Sequence, residues 1–362
     1  RVRFRIDGVL HNVGELPMTF YQNVLNLVKV RSQLRTDEHF APQDGSIRFK
    51  FEDEEPTDVR VSIVPAIYGE KIVMRVLSNT IKNIDLPSLG FTSNNLKAIR
   101  RASKMPFGMI LVTGPTGSGK STTLFAVLKS LNEEGKNITT IEDPVEYRIP
   151  GVNHIQVNEN LTFASGLRAG MRQDPDIILV GEIRDNETAS IAINAALTGH
   201  LLLSTIHAND SESTIPRLLN MDVDHFLVAS TLEVIVAQRL VRRICTSCVY
   251  TYTMSEDEIR DMIDYDSKIF KGKTITLYRG KGCGNCNNTG YKGRLGIYEI
   301  LEMNSDLKIA ITENATAERI REIASKHGAT TMFDDGLEKA KLGMTTIEEI
   351  LRVATPPNQR NL

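Results

Sequence analysis

Met109-Ile-Leu-Val-Thr113, Gly114-Pro-Thr-Gly-Ser-Gly-Lys120-Ser121 and Thr122-Thr-Leu-Phe-Ala-Val-Leu-Lys-Ser-Leu131 follow one another without a break, and their reading decides the fold. The first segment is apolar and β-rich, the last reads as a helix, and the eight residues between match the G-x-x-x-x-G-K-[ST] phosphate-binding loop. The glycines let backbone N–H groups curl around a β-phosphate, and the helix N-terminus adds its partial positive charge. Lys120 can reach the terminal phosphates, and the Ser121 hydroxyl can ligate Mg²⁺. The pattern predicts nucleoside triphosphate binding through Gly114, Thr116, Gly117, Ser118, Gly119, Lys120, Ser121 and Thr122. The bland alternative, a glycine-rich turn with an incidental lysine, requires both flanks to be chance.

From Met109 onward apolar strands alternate with helices, which predicts an α/β unit built on a parallel sheet. The expected strands are Met109–Thr113, Ile138–Ile141, Ile177–Val180 and Leu201–Thr205, each with polar or glycine residues at its C-terminal end, where open parallel sheets put their chemistry. Helices are expected from Thr92 or Ser93 to Ser103, over Glu187–Leu197 and over Thr316–His327. Residues 1–78 carry short alternating runs (Arg1–Leu10, Ser46–Phe51, Asp58–Val64, Glu70–Leu77) and one helical stretch near Tyr21–Val30, which predicts a small α+β domain. Ser78–Pro87 reads as a polar connector and Pro356–Leu362 as a disordered tail. The chain opens inside the alternation Val2/Phe4/Ile6 against Arg1/Arg3/Arg5, without a methionine, so a missing upstream segment is expected.

The 362 residues are 41% hydrophobic and 24% charged, an ordinary core-forming composition for two or three domains. Lys plus Arg number 43 against 45 Asp plus Glu, so no global basic field draws the chain to nucleic acid. The most apolar long stretch, His225–Gln238, is too short for a bilayer span and is interrupted by Glu233. No secretory signal is present in the sequence.

Four further segments place polar residues at strand ends. Ile138-Thr-Thr-Ile-Glu142-Asp143-Pro-Val-Glu146 ends in three carboxylates, and Asp176-Ile-Ile-Leu-Val-Gly181-Glu182-Ile-Arg184-Asp185 ends an apolar strand in Gly-Glu. His200 and His207 bracket a fourth strand, and the loop-capable stretch Gly166–Pro175 supplies Arg168 and Arg172, on one face if helical. Phosphoryl transfer to water needs a carboxylate that orients or deprotonates the water, a metal ligand and cations for the transferring oxygens. Glu182 is the best base candidate. Gly181 stands where such strands usually end in a metal-binding aspartate, leaving Ser121 and water to hold Mg²⁺ with Glu142 behind them.

All four cysteines fall in Cys245-Thr-Ser-Cys248 and Cys283-Gly-Asn-Cys286, with thirty-four residues between the halves. Four thiolates suit a structural, tetrahedral Zn²⁺. Two disulfides are the competing reading, disfavoured in a chain without a secretory signal. Within Tyr252–Asp266, between the pairs, Glu256, Asp257, Glu258, Asp261, Asp264 and Asp266 oppose Arg260 alone, which argues against a nucleic-acid surface there.

Taken together, the phosphate loop, Thr140-Ile-Glu-Asp-Pro-Val-Glu146, the strand through Gly-Glu-Ile-Arg-Asp185 and the stretch through His207 resemble the secretion ATPase superfamily, specifically the hexameric motors of type II secretion and type IV pilus assembly. The resemblance implies a RecA-like core over 92–362, with a zinc subdomain at 243–292 and a C-terminal helical region at 303–354. A PAS-like domain over 1–78 and a linker at 79–91 would precede it. It places Arg60 and Arg75 against the nucleotide, although spacing alone does not bring them together. Arg168 and Arg172 match a second arginine pair, and His207 a phosphate-sensing histidine. It further implies an ATP/ADP-binding homo-hexamer at the cytoplasmic face of the inner membrane, associated with the membrane through a platform protein, and the cysteine pairs point to extension rather than retraction. Competing readings are a RecA-like nucleic-acid motor and an ATP-sensing regulator that barely turns over.

Overall fold

The computed structural model describes residues 1–50, 57–77, 84–265 and 269–359. The chain divides into two compact units, Arg1–Ile84 and Asp85–Leu362. In the first, β1 (Val2–Ile6) and β2 (Val9–Gly14) form an antiparallel hairpin. The run Arg1–Leu10 is therefore not one strand. Asp7 and Gly8 both take positive φ, 47° and 87°, and an Asp-Gly pair in that conformation reverses the chain.

Helix α1 (Tyr21–Arg31) covers a three-stranded antiparallel sheet in the order β3 (Gln43–Phe49), β4 (Thr57–Ala66), β5 (Gly69–Leu77). Leu25 and Val28 of α1 pack on Ile47, Val59, Val61 and Ile63. The expected strand Ser46–Phe51 starts three residues earlier, at Gln43, and Phe51 lies outside the described residues. Lys29 is buried on the same helix, where Glu70 pairs with it at 2.7 Å and the Glu38 carbonyl accepts from it at 2.6 Å. In the β4–β5 register Arg60 stands directly opposite Arg75.

The second unit opens with α2 (Ser93–Ser103), capped by the Thr92 hydroxyl, which accepts from Asn95 N–H. Its centre is a seven-stranded sheet. In chain order the strands are β6 (Gly108–Thr113), β7 (Ile138–Glu142), β8 (Val152–Gln156), β9 (Ile177–Val180), β10 (Leu201–Ile206), β11 (Leu232–Ile244) and β14 (Tyr291–Glu302). In space they run β14-β11-β6-β10-β9-β7-β8, parallel except for β14. Every residue of β6, β9 and β10 is buried, as a parallel sheet covered on both faces demands. The crossovers carry α3 (Lys120–Leu131), α4 (Phe163–Met171), α5 (Asn186–Leu197), α6 (Ser211–Leu219) and α7 (His225–Thr231).

Two open sequence readings are resolved here. The stretch around Arg168 is helical, because Thr162 and Ser165 close a reciprocal capping box on α4. The apolar run His225–Gln238 divides into α7 and the first half of β11, so its length is not that of one element. Among the described residues, no helix is long and apolar enough to cross a membrane.

Beyond the sheet, β12 (Val249–Met254) pairs with β13 (Ile275–Gly280) around α8 (Glu256–Ile263). The chain then closes with α9 (Ser305–Thr312), α10 (Ala317–Lys326), α11 (Met332–Lys341) and α12 (Ile347–Val353). Of the expected connector, residues 78–83 lie outside the described residues. Of the expected disordered tail, Pro357–Gln359 form a short helical turn that Asn358 and Gln359 tie to Asp264 at 2.7 and 2.9 Å, and 360–362 lie outside.

Helix α11 is fastened to β14 by a buried ion pair. Lys339 Nζ donates to Asp335 Oδ2 at 2.6 Å and to the Gly296 carbonyl at 2.8 Å, while the same carboxylate oxygen accepts from Tyr298 N–H at 2.8 Å. Burial pushes the Asp335 carboxyl up and the Lys339 ammonium down, against the attraction between them, and removing one partner of such a pair leaves the other charge buried alone. Lys339→Met alone should then destabilise the fold by about 3–5 kcal/mol, and Asp335→Asn combined with it should recover most of that loss in urea melts. A double variant as unstable as the single one would contradict this account.

Candidate active site

Strands β6, β7, β9 and β10 end at one edge of the sheet, and the polar residues after them gather there. Thr113, the last residue of β6, donates its hydroxyl hydrogen toward the Ile206 and Ala208 carbonyls at 3.0 and 3.1 Å, and its oxygen accepts from Ala208 N–H at 3.0 Å. This stitch holds the segment around His207 beside the start of the phosphate loop. Gly114 follows at φ 140°, and a Cβ there would stand 2.5 Å from the Gln238 carbonyl oxygen, which only glycine tolerates.

The loop ends on Gly119, the N-cap of α3, and no side chain caps that helix. Its first-turn N–H groups remain directed at the loop's concavity, which is the arrangement that receives an anion. Buried Ser118 carries a hydroxyl with no hydrogen-bond partner. Lys120 Nζ donates to the Gly114 and Pro115 carbonyls at 2.9 and 3.2 Å, folded back over the loop. Burial pushes its ammonium below the usual range, the Glu182 carboxylate pulls it back up, and the Arg239 guanidinium pushes it down. Those three side chains therefore share one electrostatic neighbourhood.

Glu182 is held by its backbone on both sides. Gly181 N–H donates to Ile141 O at 2.8 Å, Thr205 Oγ1 donates to Gly181 O at 2.8 Å, and Ile183 N–H donates to Thr205 O at 2.9 Å. Its mostly buried carboxylate pairs with Arg184 through Oε1 and with His207 Nε2 through Oε2, the latter at 3.3 Å. Asp185 then caps α5, accepting from Thr188 N–H at 2.8 Å.

The other residues singled out in the sequence take separate positions. Glu142 is buried and accepts from the Thr140 hydroxyl at 2.6 Å, with His154 Nδ1 at 3.1 Å from the same oxygen. His154 Nε2 accepts from Ile149 N–H, which leaves the proton on Nδ1 for Glu142. In the sheet β9 and β10 separate β7, which carries Glu142, from β6. Arg168 pairs with Glu187 of α5 at 2.7 Å, and Arg172 follows the end of α4. Arg60 and Arg75 belong to the other unit, opposite one another.

Three contributors escape the sequence patterns. Arg184 sits in its motif without an evident role, and Gln238 and Arg239 are hidden inside an apolar stretch. Two adjacent polar residues in the run Leu232–Val241 are the available signal, but only the β6–β11 register, with Ala237 opposite Thr113, sets them beside the loop.

The four cysteine sulfurs lie within 4.8 Å of one another. Cys245 and Cys283 are 3.9 Å apart, Cys248 and Cys286 3.9 Å, and Cys283 and Cys286 3.7 Å. A tetrahedral Zn²⁺ with bonds of about 2.3 Å needs sulfurs about 3.8 Å apart, so the donor set fits that ion. The N–H groups of Cys283 and Gly290 point at Cys286 Sγ from 3.2 and 3.3 Å, as befits a thiolate. All four are free thiols, against the disulfide alternative. Of the acidic residues between the pairs, Glu258 closes the capping box of α8 and Glu256 accepts from Lys271 and Gly272 N–H. Asp266 lies outside the described residues.

The family model of the type II/IV secretion system proteins matches residues 1–352. The chain belongs to that family. Among its relatives, the type IV pilus assembly ATPase PilB of Myxococcus xanthus is 43% identical over 358 residues, which are 98% of this chain and 63% of the relative. The type II secretion system ATPase E of Vibrio cholerae is 45% identical over 97% of this chain and 69% of its own length. The PilB of Thermus thermophilus is 44% identical, and this chain spans 39% of it. Among solved structures, the pilus retraction motor PilT with bound ADP aligns over 99% of this chain and 92% of its own, with a TM-score of 0.66 and 25% identity. The Legionella pneumophila ATPase DotB aligns over 96% of this chain and 86% of its own at a TM-score of 0.69 and 19% identity, a likeness of fold alone.

Proposed function

We propose that this chain hydrolyses ATP and uses the energy as a motor of pilus or pseudopilus assembly. The observation that carries the reading is the meeting of Lys120 and the uncapped start of α3 with Glu182 and His207 at one sheet edge. The loop N–H groups and Lys120 bind the phosphates, and the unpartnered Ser118 hydroxyl gains an acceptor when they do. Arg184 and His207 fix the rotamer of Glu182, whose carboxylate aligns the attacking water and receives its proton. Mg²⁺, when bound through Ser121, neutralises charge on the phosphate oxygens.

In this reading residues 1–78 are a PAS-like domain, 79–91 a linker and 92–362 a RecA-like ATPase domain, with the zinc subdomain at 243–292 and the helical region at 303–354. Glu142, Arg168 and Arg172 support the site from its flank, and His207 senses the terminal phosphate. Six copies form a ring at the cytoplasmic face of the inner membrane and drive a platform protein there. The names of the pilus assembly and type II secretion relatives support this reading, as do the four cysteines for the extension branch.

Glu182→Gln keeps the shape of the site and removes the base, so ATP turnover should fall by about 10²- to 10⁴-fold while ATP binding persists. Added DNA should change neither rate. Undiminished turnover in Glu182→Gln would remove the mechanism, and strong stimulation by DNA would favour the nucleic-acid motor.

A further inference from the structure

Gln238 is 1% exposed, and its amide ties strand β11 to both the phosphate loop and the first turn of α3. Nε2 donates to the Ser118 carbonyl at 2.7 Å, and Oε1 accepts from the Thr123 hydroxyl at 2.8 Å. A carbonyl oxygen can only accept, so the orientation of the amide is settled by its partners. The backbone carbonyl of Gln238 lies against Gly114, and its Nε2 stands 3.1 Å from the place a Cβ on Gly119 would occupy. One residue of the neighbouring strand thus touches the phosphate loop at its first glycine, at Ser118, at its last glycine and at the first turn of α3.

The consequence follows from the planarity of the peptide bond. In a trans peptide the C=O of Ser118 and the N–H of Gly119 point in opposite directions. Holding the carbonyl outward, onto Gln238, turns the Gly119 N–H toward the inside of the loop. Glycine at φ 92° has no side chain to impose that orientation, and the unrestrained peptide could rotate.

We propose that Gln238 is the positioning residue of the phosphate loop, setting the Ser118–Gly119 peptide so that its N–H faces the bound phosphate. The inference rests on the reading of this loop as an ATP site. The alternative is a glutamine that merely fills the core between β11 and α3.

Gln238→Met keeps length and volume and removes both hydrogen bonds. The dissociation constants of fluorescent ADP and of competing pyrophosphate should both rise about 10- to 100-fold, the loss of one hydrogen bond to a charged group. KM for ATP should rise alongside with kcat nearly unchanged, because the N–H holds ground and transition states alike. Gln238→Glu sets an oxygen against the Ser118 carbonyl, and its ADP affinity should recover as the pH falls and the carboxyl gains a proton to donate. A folded Gln238→Met chain that binds ADP and pyrophosphate within twofold of wild type overturns the proposal. So does a Gln238→Glu chain whose affinity ignores pH, which decides the matter if the methionine variant does not fold. Failure of the wild type itself to bind either ligand overturns the ATP reading, and this inference with it.

Discussion

Replacing Arg60 and Arg75 together by alanine should leave ATP binding largely in place and slow turnover by about 10³- to 10⁵-fold, the usual worth of an arginine that meets the transferring phosphoryl group. The reason lies in the β4–β5 register, which sets the two residues directly opposite one another. Like charges directly opposite one another in a sheet repel. An anion between two guanidiniums turns the same repulsion into binding, and a γ-phosphate late in transfer is such an anion. A mixing experiment tests whether the expected contact is made within one copy or between copies. Arg60→Ala/Arg75→Ala chains and Glu182→Gln chains, each inactive alone, should regain turnover when combined if the arginines serve a neighbouring subunit. Turnover of the double variant within twofold of wild type would remove these residues from the mechanism.

The second large effect concerns the four cysteines. Purified without chelators, the chain should carry about one zinc per copy by elemental analysis, and Cys245→Ser or Cys286→Ser should lose it. Structural zinc sites of this composition are worth about 10–16 kcal/mol near neutral pH, more than the whole stability of most domains. The loss should fall first on the segment from Cys245 to Gly290, where Cys245 N–H donates to the Gly290 carbonyl at 3.0 Å and the Cβ of a larger residue at Gly290 would stand 2.6 Å from Gly280 O. Hydrogen exchange should show β12 and β13 opening on chelation while β6, β9 and β10 stay protected. A reduced, correctly folded chain with no zinc would end this reading.

Much of the site is legible in the amino-acid sequence. The phosphate loop spans eight consecutive residues, and the glycines that allow its conformation stand within them. The carboxylate after an apolar strand and the cysteine pairs are also short patterns, and the strands β6, β7, β9 and β10 appear as compact apolar runs. Sequence patterns mislead wherever an element's identity depends on what it packs against. The exception is local: alternation holds over Arg1–Ile6, and the Asp7-Gly8 turn divides Arg1–Leu10 into a hairpin. His225–Gln238 looks like one apolar stretch because a helix and a buried strand are equally apolar when both lie inside.

What the sequence by itself determined is a phosphate-binding loop with its lysine, a glutamate poised after a buried strand, four paired thiols and a parallel sheet to carry them. Only the tertiary structure decided that Arg60 faces Arg75, that His207 and Arg184 share Glu182, and that Gln238 braces the loop from β11. The physical reason is one of range. Helix starts and glycine turns are settled within a few residues, whereas register and strand order arise from pairing between separate strands, near in the chain for β4 and β5 and more than a hundred residues apart for β6 and β11.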